Sequence, residues 1–307
     1  MKNIWLCVLI LGVVSCNQSP GNNEDVRQSE KEAITKSSIV SDRVLSAEFK
    51  DYWYEGTAEI SSYDLSQSRY GELRDGTAVM VFVTEPFDEK DQIKADRSTT
   101  ENISVLKLNT TREFVTGIYP YHIMSSTFLP LDKEHNATKI ASSIQEWCGQ
   151  TYMQFNRNND NYKVTLHSYF QSEGNKEMSV DNQITENQLP LQLRLDPTKM
   201  PVGDLQIIPS LEYLRLKHVE TKPYAAVAKL SEIPDGYLYS VKYPDLGRTI
   251  AFKTEKTFPY RILSWMDRYN DNGIPMVSTG TLKKTIKSAY WNKNSTADTV
   301  LRDSLDL

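Results

Sequence analysis

TAVMVFVTEPF, residues 77–87, decides the fold. Val79, Val81 and Val83 alternate with Met80 and Phe82, so a strand here carries apolar side chains on both faces and needs cover on each. Runs of the same character recur in ISVLKLN (103–109), YKVTLHSYF (162–170), YAAVAKL (224–230), YLYSVKY (237–243) and RTIAFKT (248–254). They are rich in β-branched and aromatic residues and are bounded by Gly, Pro, Asn and Asp. RDG at 74–76, NNDN at 158–161 and NDNG at 270–273 carry turn chemistry, the last ending in the Asn-Gly pair that suits a type I′ hairpin. Spacers this short make neighbouring strands antiparallel, because a parallel return needs a crossover of a dozen residues or more. The expected fold is mainly β: a large curved antiparallel sheet or open half-barrel with one or two covering helices. One helix is expected after a Ser41 cap, with Val44, Leu45, Phe49 and Trp53 on one side and Gly56 as its stop. The other is expected over TENQLPLQLRLD (185–196), although Leu189, Leu191, Leu193 and Leu195 also alternate as a strand would.

Ahead of this body stands MKNIWLCVLILGVVSC (1–16), with one lysine near the start and an apolar run from Ile4 to Val14. It is too short to span a bilayer and reads as a secretory signal covering residues 1–15. Val13-Val14-Ser15-Cys16 resembles a bacterial lipobox, which implies cleavage before Cys16, lipidation of its thiol, and a lipid bilayer as partner through the acyl anchor. Residues 17–38 are polar, lack aromatics and show no hydrophobic period, so residues 16–40 are expected to be a lipidated N-terminus and a disordered tether. As a flexible coil such a tether spans about 25 Å. Acidic residues close behind the cysteine direct some Bacteroidota lipoproteins to the cell surface. Here Glu24-Asp25 come late, which favours the periplasmic face of the outer membrane. Residues 41–291 are expected to form a single mainly β domain, and 292–307 a polar C-terminal tail.

The formal charge of −5 becomes −6 once Lys2 leaves with the signal. A mildly acidic surface does not suit nucleic acid, whose phosphates demand a basic one. Of three cysteines, Cys7 is lost with the signal and Cys16 takes lipid, leaving Cys148 without a partner inside the chain. Stability must therefore come from a core rather than from disulfides.

Ser66-x-Ser68-Arg69 followed by Glu72 is close to the opening motif of the Maf nucleotide pyrophosphatases, and Ala297-Asp298-Thr299-Val300 resembles a second stretch of that family. The family's motif sits on a strand-to-helix turn that grips phosphates. Here the flanking sequence reads strand, turn, strand, and a hairpin presents no helix N-terminus to an anion. SRYGELRDGTAVMVFVTEPF, GIYPYHIMSSTFLPL and ASSIQEWCGQTYMQF together resemble a set of Bacteroidota lipoproteins, some of which bear a Maf or septum formation inhibitor label. At the level of architecture, the expected sheet behind a lipobox is similar to the half-barrels of periplasmic lipoprotein carriers.

No catalytic residue, cofactor or metal site emerges from the spacing. Cys148 in EWCGQ is the obvious nucleophile, but pairing strand 141–156 with 162–172 across the 158–161 turn sets Arg157 opposite Tyr162 and His167 opposite Tyr152. That leaves His167 about 13 Å from Cys148 along the strand. Cys148 is read as a half-buried thiol beside Trp147. His122, His135, His167 and His218 are scattered, and DRYNDNG (267–273) puts Arg268 where a calcium loop needs a carboxylate. Glu85, Asp88, Glu89, Asp91, Asp96 and Glu101 read as a solvated loop. Tyrosine is abundant, and Tyr119, Tyr121, Trp147 and Trp265 are the candidates to line a common ligand cavity. Asp298-Thr299-Val300 and Asp303-Ser304-Leu305 resemble the Bacteroidota O-glycosylation acceptor pattern, which implies modification at Thr299 and Ser304. The reading is a non-catalytic envelope lipoprotein that binds an apolar ligand or an envelope protein on its sheet. The competing reading is an exported hydrolase, Maf-like or other.

Overall fold

The computed structural model describes residues 41–307. The expected signal peptide, Cys16 and the expected tether lie outside the described residues. Two antiparallel meanders build one sheet. The first comprises β1 (Ala58–Arg69), β2 (Glu72–Asp88), the two-residue offshoot β3 (Ile93–Lys94), β4 (Ile103–Thr116), β5 (Tyr119–Pro130), β6 (Lys139–Glu146), β7 (Gly149–Asn158), β8 (Asn161–Ser168) and β9 (Lys176–Asp181). The second comprises β10 (Ile184–Thr185), β11 (Gly203–Ile208), β12 (Tyr224–Ile233), β13 (Gly236–Tyr243), β14 (Arg248–Glu255), β15 (Ile262–Asp271) and β16 (Ile274–Ser288). Pairing of β16 with β1 joins them, so the order runs β10 to β16, then β1, β2 and β4 to β9, with β9 and β10 as unjoined edges. Every pair is antiparallel except β10 with β11. The large antiparallel sheet and its few helices are as expected.

The helices lie within the bend of the sheet. α2 (Leu189–Leu195) lies between β10 and β11 in sequence, and α3 (Leu211–Leu216) between β11 and β12. Leu189, Leu191 and Leu193 share one core with Met80 and Phe82 of β2, Leu108 of β4, Tyr239 of β13 and Ile250 of β14. Ile208, Leu211 and Leu214 pack with Met153, Phe155 and Val164 of β7 and β8. Both halves of the sheet thus bury apolar faces on the same two short helices, which curves it around them. α1 (Ala47–Trp53) covers a further part with Phe49 and Trp53.

The two-sided strand is covered as its sequence demands. Met80 and Phe82 face the helices, while Val79, Val81 and Val83 lie on the other face with Ile60 and Leu305. That second cover comes from the C-terminal segment, expected as a polar tail. Thr296–Leu305 forms a 3-10 helix, Leu305 is buried, and the Ser62 hydroxyl donates to the Leu305 carbonyl.

Other boundaries also move. α1 starts later than expected, because Ser46 rather than Ser41 caps it, its hydroxyl accepting from the Phe49 N–H at 3.0 Å, and Val44 is left exposed. α3 is an additional helix, capped by Ser210. The β1–β2 turn is Tyr70-Gly71, not Asp75-Gly76, which lies inside β2. Gly76 serves close approach instead: a Cβ there would meet the Glu113 carbonyl oxygen at 2.2 Å. Residues 141–156 form two strands around a Trp147-Cys148 turn rather than one. The register across 158–161 is as expected, with Arg157 opposite Tyr162 and Tyr152 opposite His167. Asn272-Gly273 turns with both φ angles positive, 52° and 79°, as a type I′ hairpin requires.

Candidate functional site

Alternating strands bring the turns after β1, β4, β6, β8 and β15 to one rim of the sheet. This rim gathers Tyr119, Tyr121 and Trp147. The Tyr119 ring lies 5.9 Å from that of Tyr121 and 6.3 Å from that of Trp147. Tyr121 is buried and stacks on Phe114 at 4.9 Å, whereas Trp147 is 69% exposed. Trp265 is not brought to them. It is buried in the core, edge-on to Tyr63 at 4.8 Å, and its ring occupies the space a Cβ on Gly280 would need.

Arg69 of the Maf-like stretch is fully engaged at the same rim. Its guanidinium sits 4.3 Å over the Tyr70 ring and donates to the Leu216 carbonyl at 2.8 Å and to the Tyr121 hydroxyl at 3.2 Å. Ser66 to Arg69 lie inside β1, and Ser68 donates to Asp271 at 3.3 Å. Ala297 to Val300 belong to the C-terminal 3-10 helix, where Asp298 accepts from Ser295. This geometry lacks the strand-to-helix turn on which the resembling motif works.

Cys148 is exposed in its turn, correcting the half-buried reading. Hydrogen bonding to Glu146, and then that carboxylate's charge, push the thiol's pKa up, the opposite of what activates a nucleophile. The acidic stretch is not wholly solvated either: Glu85 is buried on β2 and pairs with Lys107 at 3.3 Å. Among the described residues no group of three His, Cys, Asp or Glu side chains is placed to hold a metal ion. No described helix is long and apolar enough to cross a membrane.

Inside the bend, buried charges fix the helical segment to the sheet. Arg194 of α2 pairs with Glu59 of β1, and Tyr52 donates to the same carboxylate at 2.5 Å. Arg248 of β14 joins Glu186 at 2.6 and 2.7 Å and Asp267 at 2.7 and 2.9 Å. Glu212 of α3 accepts from Ser125 at 2.5 Å and from Asn187 at 2.9 Å. A 40 Å³ cavity bordered by Arg112, Glu212 and Trp265 remains between them, room for water rather than for a ligand.

A space larger than this cavity lies towards the opposite rim. A cleft of 610 Å³ opens between α1, the end of α2 and the β5–β6 connection. Leu45, Phe49, Ile184, Leu195, Met200 and Phe258 supply its apolar lining, and Arg43, Glu134, Asp196 and Lys199 its charged lining. Burial lowers the pKa of Arg43 against the raising effect of Glu134 and Asp132, and its guanidinium donates to the Lys133 carbonyl at 3.2 Å. The sequence reading missed this cleft. Its walls come from separate segments, and the only local signal is the pair of prolines, Pro197 and Pro201, bracketing the turn after α2.

No protein-family model matches the chain. No curated protein matches it. A solved structure titled a porin-like protein from Bacteroides uniformis is similar to this chain at 11% identity, over 73% of this chain and 95% of that one, with a TM-score of 0.21. At that score the likeness carries no argument about function.

Proposed function

We propose that this chain is an outer-membrane lipoprotein, anchored through acyl chains on Cys16 on the periplasmic face, whose β body binds an apolar-bodied ligand without transforming it. The single observation that carries the binding reading is the 610 Å³ cleft, a volume in the range of small-molecule sites, with apolar walls and charged residues beside them. That combination suits a molecule with an apolar body and a polar end. The commitment of Arg69 to Tyr121 and Leu216, and the raised thiol pKa of Cys148, favour binding over hydrolysis. The anchor rests on the lipobox alone. Thr299 and Ser304 are both exposed and remain the proposed glycan acceptors.

Native mass spectrometry of protein released gently from envelopes tests the cleft. A bound adduct is expected in the wild type and is expected to be lost in Leu195→Arg, which sets an unpaired charge on the apolar wall. Absence of any adduct, or its retention in the variant, overturns the assignment. Metabolic labelling with a fatty acid tests the anchor separately; label that persists in Cys16→Ser overturns it.

A further inference from the structure

A depression of 640 Å³ lies over β6, β7 and β8 on the outer face of the sheet. Strand alternation builds it. Met153 and Phe155 of β7 face the core, so Gln150 and Tyr152 face outwards. The register sets Ser143 of β6 and His167 of β8 on either side of Tyr152, and Gln145 opposite Gln150. Strands stand about 4.8 Å apart and successive outward positions about 7 Å, so these rows cover roughly 10 Å by 7 Å, a footprint of sugar-ring size.

The chemistry of the lining is uniform in one respect. Amides, hydroxyls and an imidazole border the depression, with no carboxylate, ammonium or guanidinium among them. The 610 Å³ cleft carries both signs of charge and shares no lining residue with it. Glu173, which Ser168 reaches at 2.6 Å, is also held by Arg215 and His218 at 2.8 Å each and does not border the depression. Gln145, Gln150 and His167 are exposed, so their donors and acceptors meet solvent.

Two tyrosines border the same space, and each is held. Tyr152, 38% exposed, donates its hydroxyl to Gln154 at 2.6 Å. Tyr169 is 70% exposed, yet its ring lies against the backbone of Gly149, where a Cβ would stand 2.6 Å from the ring carbons. Its N–H also donates to the Gln150 carbonyl at 3.2 Å. Any side chain at position 149 would displace this ring. A ring fixed against backbone with most of its surface open to solvent is a stacking platform set before a ligand arrives.

We propose that this depression binds a neutral carbohydrate. An apolar ligand would cover the amides without pairing them, and a charged one would find no opposite charge. β6, β7 and β8 each have a strand on both sides, so an extended peptide finds no open edge to pair with. A saccharide answers each feature: its hydroxyls both donate and accept, as the amides do, and its C–H faces pack on the tyrosine rings. The site stands independently of the cleft and of the anchor.

The test uses the chain from Cys16 onward carrying Cys16→Ser, mixed with maltotriose, cellotriose, mannotriose or triacetylchitotriose, and with trigalacturonate as the acidic counterpart. Saturation-transfer NMR is expected to show magnetisation passing from the protein to at least one of the neutral sugars. Tyr169→Ala is expected to weaken that binding roughly tenfold at an unchanged melting temperature, and Tyr169→Phe to stay within about threefold of wild type. Gln145→Ala with Gln150→Ala is expected to weaken it by roughly tenfold as well. Binding of none of the neutral sugars, tighter binding of trigalacturonate, or undiminished binding by Tyr169→Ala overturns the proposal. Should Tyr169→Ala lower the melting temperature, the glutamine pair decides, and undiminished binding by that variant overturns the proposal equally.

Discussion

Arg194 on α2 and Glu59 on β1 meet through two parallel hydrogen bonds of 2.5 and 2.6 Å, with their side chains 1% and 0% exposed. The Arg194 guanidinium also lies 4.6 Å from the Phe82 ring and donates to the Pro259 carbonyl at 2.8 Å. Removing one partner strands the other charge in the core. Arg194→Met is therefore expected to cost about 3–5 kcal/mol, and adding Glu59→Leu to recover most of that loss, because paired removal leaves no buried charge. Chemical denaturation of the two variants against the wild type measures both steps.

The same pair sets a pH dependence. Burial alone would raise the Glu59 carboxyl, but the charge and hydrogen bonds of Arg194 and the Tyr52 hydroxyl outweigh it and hold the group below its ordinary range. Glu173 is lowered in the same sense, burial being outweighed by Ser168, His218 and Arg215. A depressed carboxyl contributes stability that is fully present above the unfolded pKa, about 4.3, and is lost as pH falls through the folded value. The wild-type melting temperature should decline below about pH 4. In Arg194→Met the sign at Glu59 reverses: burial without a partner raises its pKa, and that contribution is lost as pH rises instead. Relative to wild type, the variant should lose less stability between about pH 6 and pH 4. A larger loss would refute this account of the pair.

Gly76 permits the close approach of β2 and β4. Its pairing partner is Phe114, and a Cβ would strike the neighbouring Glu113 carbonyl, which is backbone and cannot swing aside. Gly76→Ala is expected to destabilise by about 1–3 kcal/mol. Hydrogen exchange should localise the loosening to β2 and β4. Uniform protection equal to wild type would show that the two strands adjust freely.

That glycine illustrates where the sequence was legible. Alternation and turn chemistry are local, so the antiparallel strands, the Asn272-Gly273 hairpin and the register across Asn159-Asp160 could all be read directly. Asp75-Gly76 spells a turn equally well. The actual turns at Tyr70-Gly71 and Trp147-Cys148 each put an aromatic residue at a tip, against the usual preference. α3 spans six residues, too few for a period to declare itself. Strand alternation brings Tyr119 and Trp147 to one rim, whereas Trp265 lies in the core, where Gly280 opposite it leaves room for an indole. Locally only Pro197 and Pro201 mark the cleft, which exists once α1, α2 and the β5–β6 connection converge.

The C-terminal 3-10 helix supplies the final test. Leu305 is 7% exposed and lies with Ala58, Ile60 and Val83 on the face of β1 and β2 away from α2. Without that cover, the second apolar face of the Val79–Val83 run meets water. Leu305→Ala is expected to cost about 2–4 kcal/mol, a core-like value that no free tail would yield. The docking also separates the two acceptor-like serine and threonine sites. Thr299 is followed by exposed Val300, whereas Ser304 is followed by the residue that packs against the strand. A transferase reading three extended residues would have to lift Leu305 out of its contact to reach Ser304. Mass spectrometry of envelope-derived protein should therefore find Thr299 modified at higher occupancy than Ser304, and Leu305→Ala should narrow that difference. Equal occupancy in the wild type would mean that modification precedes docking of this segment.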